Sequence, residues 1–390
     1  MGHYEGDIVN GKRDGLGRII YPDRSMYDGE WKNDKRHGMG RWLHIDLQWQ
    51  EGTIYDGQWE NDAWNGEGEM VSLKKINAYP ISDIQNNEFI DWDYASLLKK
   101  YEEEIEVPVI SSFFGPRYGV YSIYVGEFKD GKRQGKGRVI YPCLNRTAKN
   151  TLIAIYDGSW KNNEKDGNGK ARWIYKTKDR PDVIETYEGE YKKDLKVGHG
   201  VFTYDNGDVY EGNWKNNEIE GKGKMTRSTG EIFDGEWQDG EFVEGKVTYP
   251  NGDVYEGQWN EDKKHGRGKM MYANGEIFEG NWRNDKRDGL GEMTYENSIV
   301  KRVTGNWKKD KLSSVGLDIE YDKERQESMG ETEFLREQIQ SFDILPNIEH
   351  RYIPVLGKKT KRAELKSVIQ RRRGGKKYTR SKRAKILISR

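Results

Sequence analysis

The sequence predicts a mainly β protein, an elongated antiparallel ribbon of β-hairpin repeats. A short helical insertion interrupts the ribbon, and a C-terminal helix and a basic tail follow it. Three observations carry this prediction. An aromatic-x-Gly-x-aromatic pattern starts at Tyr4, Tyr27, Tyr55, Tyr124, Tyr156, Tyr187, Tyr210, Phe233, Tyr255 and Phe278, and a degenerate copy starts at Val303. Fixed-period self-similarity of this kind marks a repeat architecture, in which each unit buries its apolar face only against a neighbour. Composition points the same way: 34% charged, 34% apolar and a mean hydropathy of −1.04 are too polar for one large core. Yet 13 Trp, 24 Tyr and 10 Phe are too many rings for disorder, and beside 46 Gly they suggest rings buried against glycines. Finally, the copies alternate with period 2, as strands do.

The repeats come first. Successive starts lie 22–23 residues apart from 4 to 27 and again from 187 to 278. Longer gaps, as from 124 to 156, read as inserted loops, and Ile8 takes the place of the second aromatic in the first copy. In the copy opening at Tyr255, alternation puts Tyr255, Gly257 and Trp259 on one face, and Glu256 and Gln258 on the other. Its second half places Gly266, Gly268, Met270 and Tyr272 on one side, with Arg267, Lys269 and Met271 opposite. The equivalents in neighbouring copies are Tyr210, Gly212 and Trp214, then Phe278, Gly280 and Trp282. Glycine weakens a strand, so paired glycines at fixed positions mark the close approach of another group, here a ring. Asn206-Gly207, Asn251-Gly252 and Asn274-Gly275 read as two-residue hairpin turns with positive φ at both positions. At about 4.8 Å per strand, eleven copies of two strands make a ribbon on the order of 100 Å long.

The Tyr-Glu-Gly-x-Trp opening, the following Gly-x-Gly and the closing Tyr-x-Asn-Gly resemble the MORN repeat, over roughly residues 4–75 and 124–310. The resemblance implies an antiparallel sheet of successive hairpins. Among proteins of this kind, chains that are mostly repeat are similar to radial spoke head and other axonemal or cytoskeletal proteins. It therefore implies a non-enzymatic scaffold, with no cofactor, that joins other proteins of a large assembly in a ciliary axoneme or cytoskeletal complex. Some relatives carry a lipid-kinase or lysine-methyltransferase domain, but the 80 residues after Asp310 are too few for either.

The polar face carries charge in register. The residue after the leading aromatic is acidic in Glu5, Asp28, Asp56, Asp157, Glu188, Glu211, Asp234, Glu256 and Glu279, the exceptions being Val125 and Thr304. The residue after Gly-x-Gly is basic in Arg18, Arg41, Arg138, Lys170, Lys224, Lys246 and Lys269. If Trp259 faces Gly266, Glu256 falls opposite Lys269 as a cross-strand ion pair, a solvated structural ladder worth about 0.2–1 kcal/mol per pair. One carboxylate per repeat does not converge on a metal, so no metal site is expected. No catalytic constellation is expected either. His37 and His265 share a loop slot before Gly-x-Gly. Cys143 stands in a repeat loop without a nearby histidine, and the Gly-x-Gly pairs lack the strand–turn–helix setting of a nucleotide site.

Domain boundaries follow: 1–75 holds repeats one to three, 76–123 an insertion, 124–311 repeats four to eleven, 312–357 a capping helix and linker, and 358–390 the tail. Within the insertion, Asp91–Glu106 reads as a helix presenting Leu97, Leu98, Tyr101 and Ile105. Such a helix either covers a break in the ribbon or docks a partner. Glu331–Phe342 reads as a second helix, either capping the last strand or pairing two chains.

The tail is the most polarised segment. It holds 15 Lys and Arg and one acid, Glu364. Lys358, Lys359, Lys361, Arg362, Arg371, Arg372, Arg373, Lys376, Lys377, Arg380, Lys382 and Arg383 are the candidate polyanion-binding residues. The neutral total is therefore a tail of +14 on a body of −14, and neutrality excludes no polyanionic partner. Tubulin or another acidic surface, anionic lipid and RNA are the candidate partners. RNA has the weaker claim, because Tyr378 is the one aromatic there. A peripheral membrane tether and a ribonucleoprotein component are thus the alternatives to a scaffold. No run of about 18 apolar residues predicts a transmembrane helix. The single cysteine and the N-terminal sequence MGHYEGDIVN favour a cytoplasmic setting, with cytoskeleton or cilium preferred.

Overall fold

A computed structural model describes residues 2–46, 51–75, 118–146, 150–177, 180–296, 298–313, 315–330 and 333. The helices expected over 91–106 and 331–342, and the whole tail from 358, lie outside the described residues, Glu333 excepted. The fold of the described residues is mainly β and antiparallel, a succession of hairpins followed by a short helix, Lys323–Ser328, N-capped by the Asp322 carboxylate. The chain forms two compact units, residues 1–229 with 237–240, and residues 230–236 with 241 onward.

In the first unit each strand from His3–Val9 to Glu218–Thr226 pairs with the next along the chain. In the second, the same holds from Glu241–Thr248 to Val300–Lys308. The degenerate copy at Val303 is part of this order. Val303 is buried in the leading-aromatic position, and Gly305 opposes Gly291. Beyond it, Lys311–Leu312 and Asp318–Tyr321 both pair with Val300–Lys308, so a returning strand covers that edge.

Alternation buries one face. Tyr27, Tyr55, Tyr124, Tyr156, Tyr187, Tyr210, Tyr255 and Phe278 are all at 0–1% exposure, while the residue that follows each leading ring, acidic in all of these but Val125, stays on the other face. Each ring lies over a glycine pair. A Cβ on Gly257 would come within 2.5 Å of the Gly268 Cα, 2.6 Å of the Arg267 carbonyl and 2.8 Å of the Tyr255 hydroxyl. Glycine is thus the residue that lets two strands and a ring meet at one point.

Four local expectations are corrected. Trp259 pairs with Lys264, not Gly266, because a bulge shifts the register between Gly257 and Gln258. Glu256 still opposes Lys269 on the unshifted side of that bulge, and Gly266 instead faces Trp282 of the next repeat. The Asn-Gly loops do not have two positive-φ residues. Only the glycines do, with Gly207 at 86°, Gly252 at 90° and Gly275 at 88°. The loop at Tyr204 closes with a Gly207 N–H to Tyr204 carbonyl bond and a Tyr204 N–H to Asp208 carbonyl bond, a three-residue loop ending on a left-handed glycine.

The two-residue turns lie at the other end of each hairpin. Asn33-Asp34, Asn61-Asp62, Asn216-Asn217, Asn284-Asp285 and their counterparts have positive φ at both positions. Third, His37, His265 and Cys143 lie in strands rather than loops. Fourth, the longer gap from Tyr124 to Tyr156 is filled mainly by long paired strands, Lys132–Arg146 and Asn150–Lys161. In the same way Tyr118–Ile123, placed in the insertion by sequence, already pair with Val71–Lys75.

The glycine contacts give a direct test. Gly257→Ala should lower unfolding stability by about 1–3 kcal/mol, because the clash is with backbone atoms that cannot swing away. Gly52→Ala, whose Cβ would meet nothing closer than 3.4 Å, should be tolerated. Urea unfolding followed by tryptophan fluorescence compares the two.

Candidate functional site

The repeated element with the most chemistry is the junction at which one repeat meets the next. It starts with the bulge, which leaves polar backbone groups without ladder partners. In four copies the residue before the second aromatic serves two of them. Its side chain accepts the N–H of the residue between the two glycines: Glu30 from Met39 at 2.8 Å, Gln58 from Glu67 at 3.0 Å, Glu127 from Lys136 at 2.7 Å and Gln258 from Arg267 at 3.1 Å. Its carbonyl accepts the tyrosine hydroxyl, as in Tyr27 to Glu30 at 2.8 Å, Tyr124 to Glu127 at 3.0 Å and Tyr255 to Gln258 at 3.1 Å. Buried polar groups are expensive unless paired, so the tyrosine is held in place by its hydroxyl as well as by its ring.

The next repeat then closes over this unit with its tryptophan. Trp31 Nε1 donates to the Gly17 carbonyl at 2.9 Å, Trp59 to Gly40 at 2.8 Å, Trp160 to Gly137 at 2.9 Å, Trp214 to Gly200 at 3.1 Å and Trp282 to Gly268 at 3.0 Å. Each indole also meets the preceding tyrosine edge to face, with Tyr27 and Trp59 centroids 5.2 Å apart and Tyr255 and Trp282 5.4 Å apart. Trp259 breaks the rule, its Nε1 buried without a partner. The repeat it rests on runs only 22 residues from Phe233 to Tyr255 and lacks the Gly-x-Gly pair.

A cation completes the lock, and the sequence reading missed it. After seven of the two-residue turns the second residue is a cation, Arg13, Arg36, Arg133, Lys165, Lys196, Lys264 or Arg287, and its side chain lies over the rings of its own and the next repeat. Arg13 sits 4.0 Å from the Trp31 ring centroid, Arg133 4.3 Å from Trp160, Lys196 4.4 Å from Trp214 and Arg287 4.2 Å from Trp307. The turn of the following repeat then grips the same residue. Asp34 Oδ1 accepts the Arg13 N–H at 2.9 Å and its Nε at 3.2 Å. Asp62 does so for Arg36 at 3.0 and 3.1 Å, and Asp310 for Arg287 at 2.9 and 3.2 Å. Asn163 and Asn217 accept the N–H of Arg133 and Lys196. A basic residue at a fixed place after the turn was the available signal.

On the outer face the ion pairs run to the following repeat: Arg18 with Asp28, Arg41 with Asp56 at 3.6 Å, Arg138 with Asp157 at 2.7 Å and Lys170 with Glu188 at 3.1 Å. Tyr210, Gly212 and Trp214 lie at a junction of the first unit. Tyr255, Gly257, Trp259, Gly266, Gly268, Phe278, Gly280 and Trp282 lie at junctions of the second. The basic residues from Lys358 to Arg383 lie outside the described residues. Among the described residues, no cluster of three metal-ligating side chains occurs, and no helix is long and apolar enough to cross a membrane.

An array whose repeats recognise one another in this way belongs to the class of repeat proteins, in which each unit is completed by its neighbour. The MORN-repeat family model matches residues 4–26, 27–44, 55–72, 124–142, 156–174, 187–209, 210–232, 233–254, 255–277 and 278–299, more than half of the chain. The chain is a member of the MORN-repeat family, whose repeats mediate interactions with proteins or membranes. Among curated proteins, no sequence matches it.

Burial acts on the lock's ionisable groups in opposite senses. It pushes the phenols of Tyr27, Tyr55, Tyr124, Tyr156, Tyr187 and Tyr255 well above their usual value of 10.0, and that of Tyr210 up to about 12. It pulls Lys196 down to about 8 from 10.5. Between those two values the folded chain holds fewer protons on Lys196 than the unfolded chain does, so this lysine makes stability rise with pH. The tyrosines act the other way. Their contribution is complete below pH 10, the unfolded value, and is lost as pH rises through the folded values.

Three outcomes follow. The melting temperature should hold or rise from pH 8 to 10 and fall steeply above, in step with tyrosinate absorption; Lys196→Met should remove the rise. Asp310→Ala should cost about 1–3 kcal/mol by stranding the Arg287 guanidinium, whereas Asp310→Asn, which keeps the acceptor, should cost far less. Phe278→Tyr, which adds the hydroxyl used in other copies, should stabilise by about 0.5–1.5 kcal/mol in urea unfolding.

Proposed function

We propose that this chain is a non-enzymatic scaffold for protein assembly, and specifically a structural component of a ciliary axoneme, radial-spoke-like, or of a cytoskeletal complex. One observation carries the reading. The distinctive side chains of each repeat, its tyrosine, glycines, tryptophan, cation and turn acid, are used to hold the next repeat. What such an element offers other molecules is regularly spaced strand ends, loops and outer-face side chains. The axonemal assignment is supported by the resemblance to repeat-rich proteins of that kind. The tail of +14 suits an acidic surface such as tubulin.

A second reading, peripheral attachment to anionic membrane, is favoured by the same tail together with the family's interactions. Localisation of the tagged full chain in ciliated cells separates the two. An axonemal or cytoskeletal component should survive detergent and then salt extraction. Release by detergent, together with liposome sedimentation that depends on Lys358–Arg390, would instead establish the membrane tether.

A further inference from the structure

We propose that the turn margin of the last two repeats, bearing Lys286, Lys308, Lys309 and Lys311, is a docking site for an acidic segment of a partner protein. The inference rests on the scaffold reading and names one surface on which it acts.

The turns 283–286 and 308–311 depart from local rules that most turns of the array keep. Lys308 and Lys311 are directly opposed across the hairpin, as are Arg283 and Lys286. Like charges in that position repel. Lys309 has φ 50°, a left-handed conformation that the corresponding turn positions give mostly to Asn or Asp, as in Asn33, Asn61, Asn216 and Asn284. A lysine there is disfavoured relative to asparagine. Departures from local consistency without a structural return are where function is sought.

Among the described residues, no acid is ion-paired with these lysines. Asp310 takes Arg287, Asp285 accepts the Lys264 N–H at 3.0 Å, and Asp288 is 4.0 Å from Arg283. These carboxylates are engaged elsewhere, and Lys286, Lys308, Lys309 and Lys311 are all exposed. The first unit repeats the motif singly, at Lys32 with Lys35 and at Lys129 with Lys132. Among the described residues, only at the last two repeats do opposed basic pairs fall on consecutive turns of one unit. Strand spacing sets those turns about 10 Å apart, within the span of three or four residues of extended peptide.

The surroundings favour a protein ligand. No apolar or aromatic side chain occurs within residues 283–286 or 308–311. A bilayer interface is engaged through an apolar face as well as charge, and single-stranded nucleic acid through rings on which bases stack. A carboxylate-rich chain needs neither.

The test uses the full chain and a synthetic Glu-rich peptide, with lysine acetylation read residue by residue. The peptide should slow acetylation of Lys286, Lys308, Lys309 and Lys311 severalfold more than that of the exposed single sites Lys12 and Lys161. Lys308→Glu, which turns a repelling pair into an attracting one, should raise the melting temperature and abolish the protection of Lys309 and Lys311. Protection confined to residues 358–390, or retained in Lys308→Glu, overturns the proposal. So does a lower melting temperature for that variant, or protection by phosphatidylserine vesicles or polyphosphate but not by the peptide. None of these outcomes touches the scaffold reading, which stands or falls on retention in the extracted cytoskeleton.

Discussion

A tyrosine laid over two glycines is the contact on which the rest of the architecture depends. The ring reaches the backbone only because neither glycine carries a Cβ, and its hydroxyl reaches a carbonyl only because the bulge has released that carbonyl from the ladder. The bulge in turn exposes an N–H, which the acid or amide beside the tryptophan accepts. Remove any one member and another buried polar group or a void remains. This interdependence explains why glycine, normally a weak strand residue, recurs where the strands are most buried.

Junctions between repeats are matched as well as repeated. Where a repeat offers a cation, the next turn answers with a side-chain acceptor: Arg13 with Asp34, Arg36 with Asp62, Arg133 with Asn163, Lys165 with Asp194, Lys264 with Asp285 and Arg287 with Asp310. Where the slot holds an apolar residue, the answering turn residue is glycine. Gly131 follows Trp64 and Gly240 follows Ile219, and each donates its N–H to the slot residue's carbonyl. Trp64 takes the cation's place by stacking on Tyr55, with centroids 4.8 Å apart. The exception is Phe242, for which the next turn carries Asp262 in sequence; its repeat has also lost its Gly-x-Gly, and there Trp259 has an unpartnered Nε1. Such matching favours one order of repeats over shuffled alternatives, a need that identical hairpins would leave unmet.

The strand order and the buried face were legible because both follow from period: alternation assigns faces, and recurrence of Tyr-x-Gly-x-Trp assigns hairpins. The starts at Tyr4 to Phe278 coincide with the beginnings of the ten family matches. The register at Trp259 was not legible, since strict alternation contains no bulge, and the bulge is stabilised by the Tyr255 hydroxyl and the Gln258 side chain together. The turns were exchanged for a related reason. Asn-Gly is the stronger two-residue signal in isolation, but Asn-Asp has a partner one repeat away, and that bond favours the left-handed pair at Asn33-Asp34. The junction cations were hidden because a lysine or arginine in a polar sequence reads as solvated. Only tertiary contact places Arg287, at 9% exposure, against Trp307.

This distribution of constraint bears on where recognition can occur. Substituting a junction residue disturbs a neighbour on each side, so the buried face has little freedom to acquire a partner. The strand ends have more. A residue at the turn flank, such as Lys32, Lys215 or Lys308, is exposed, and its charge can change without touching the tyrosine–glycine contact. Opposed lysines at such flanks carry a repulsive cost that a nearby acid would remove, and acids do occupy equivalent places elsewhere, as with Glu60, Glu164 and Glu218. The mixture of signs therefore varies the margin along the array while the tyrosine–glycine contact recurs beneath it. A scaffold needs that combination: a recurring geometry, and a surface chemistry that changes along it.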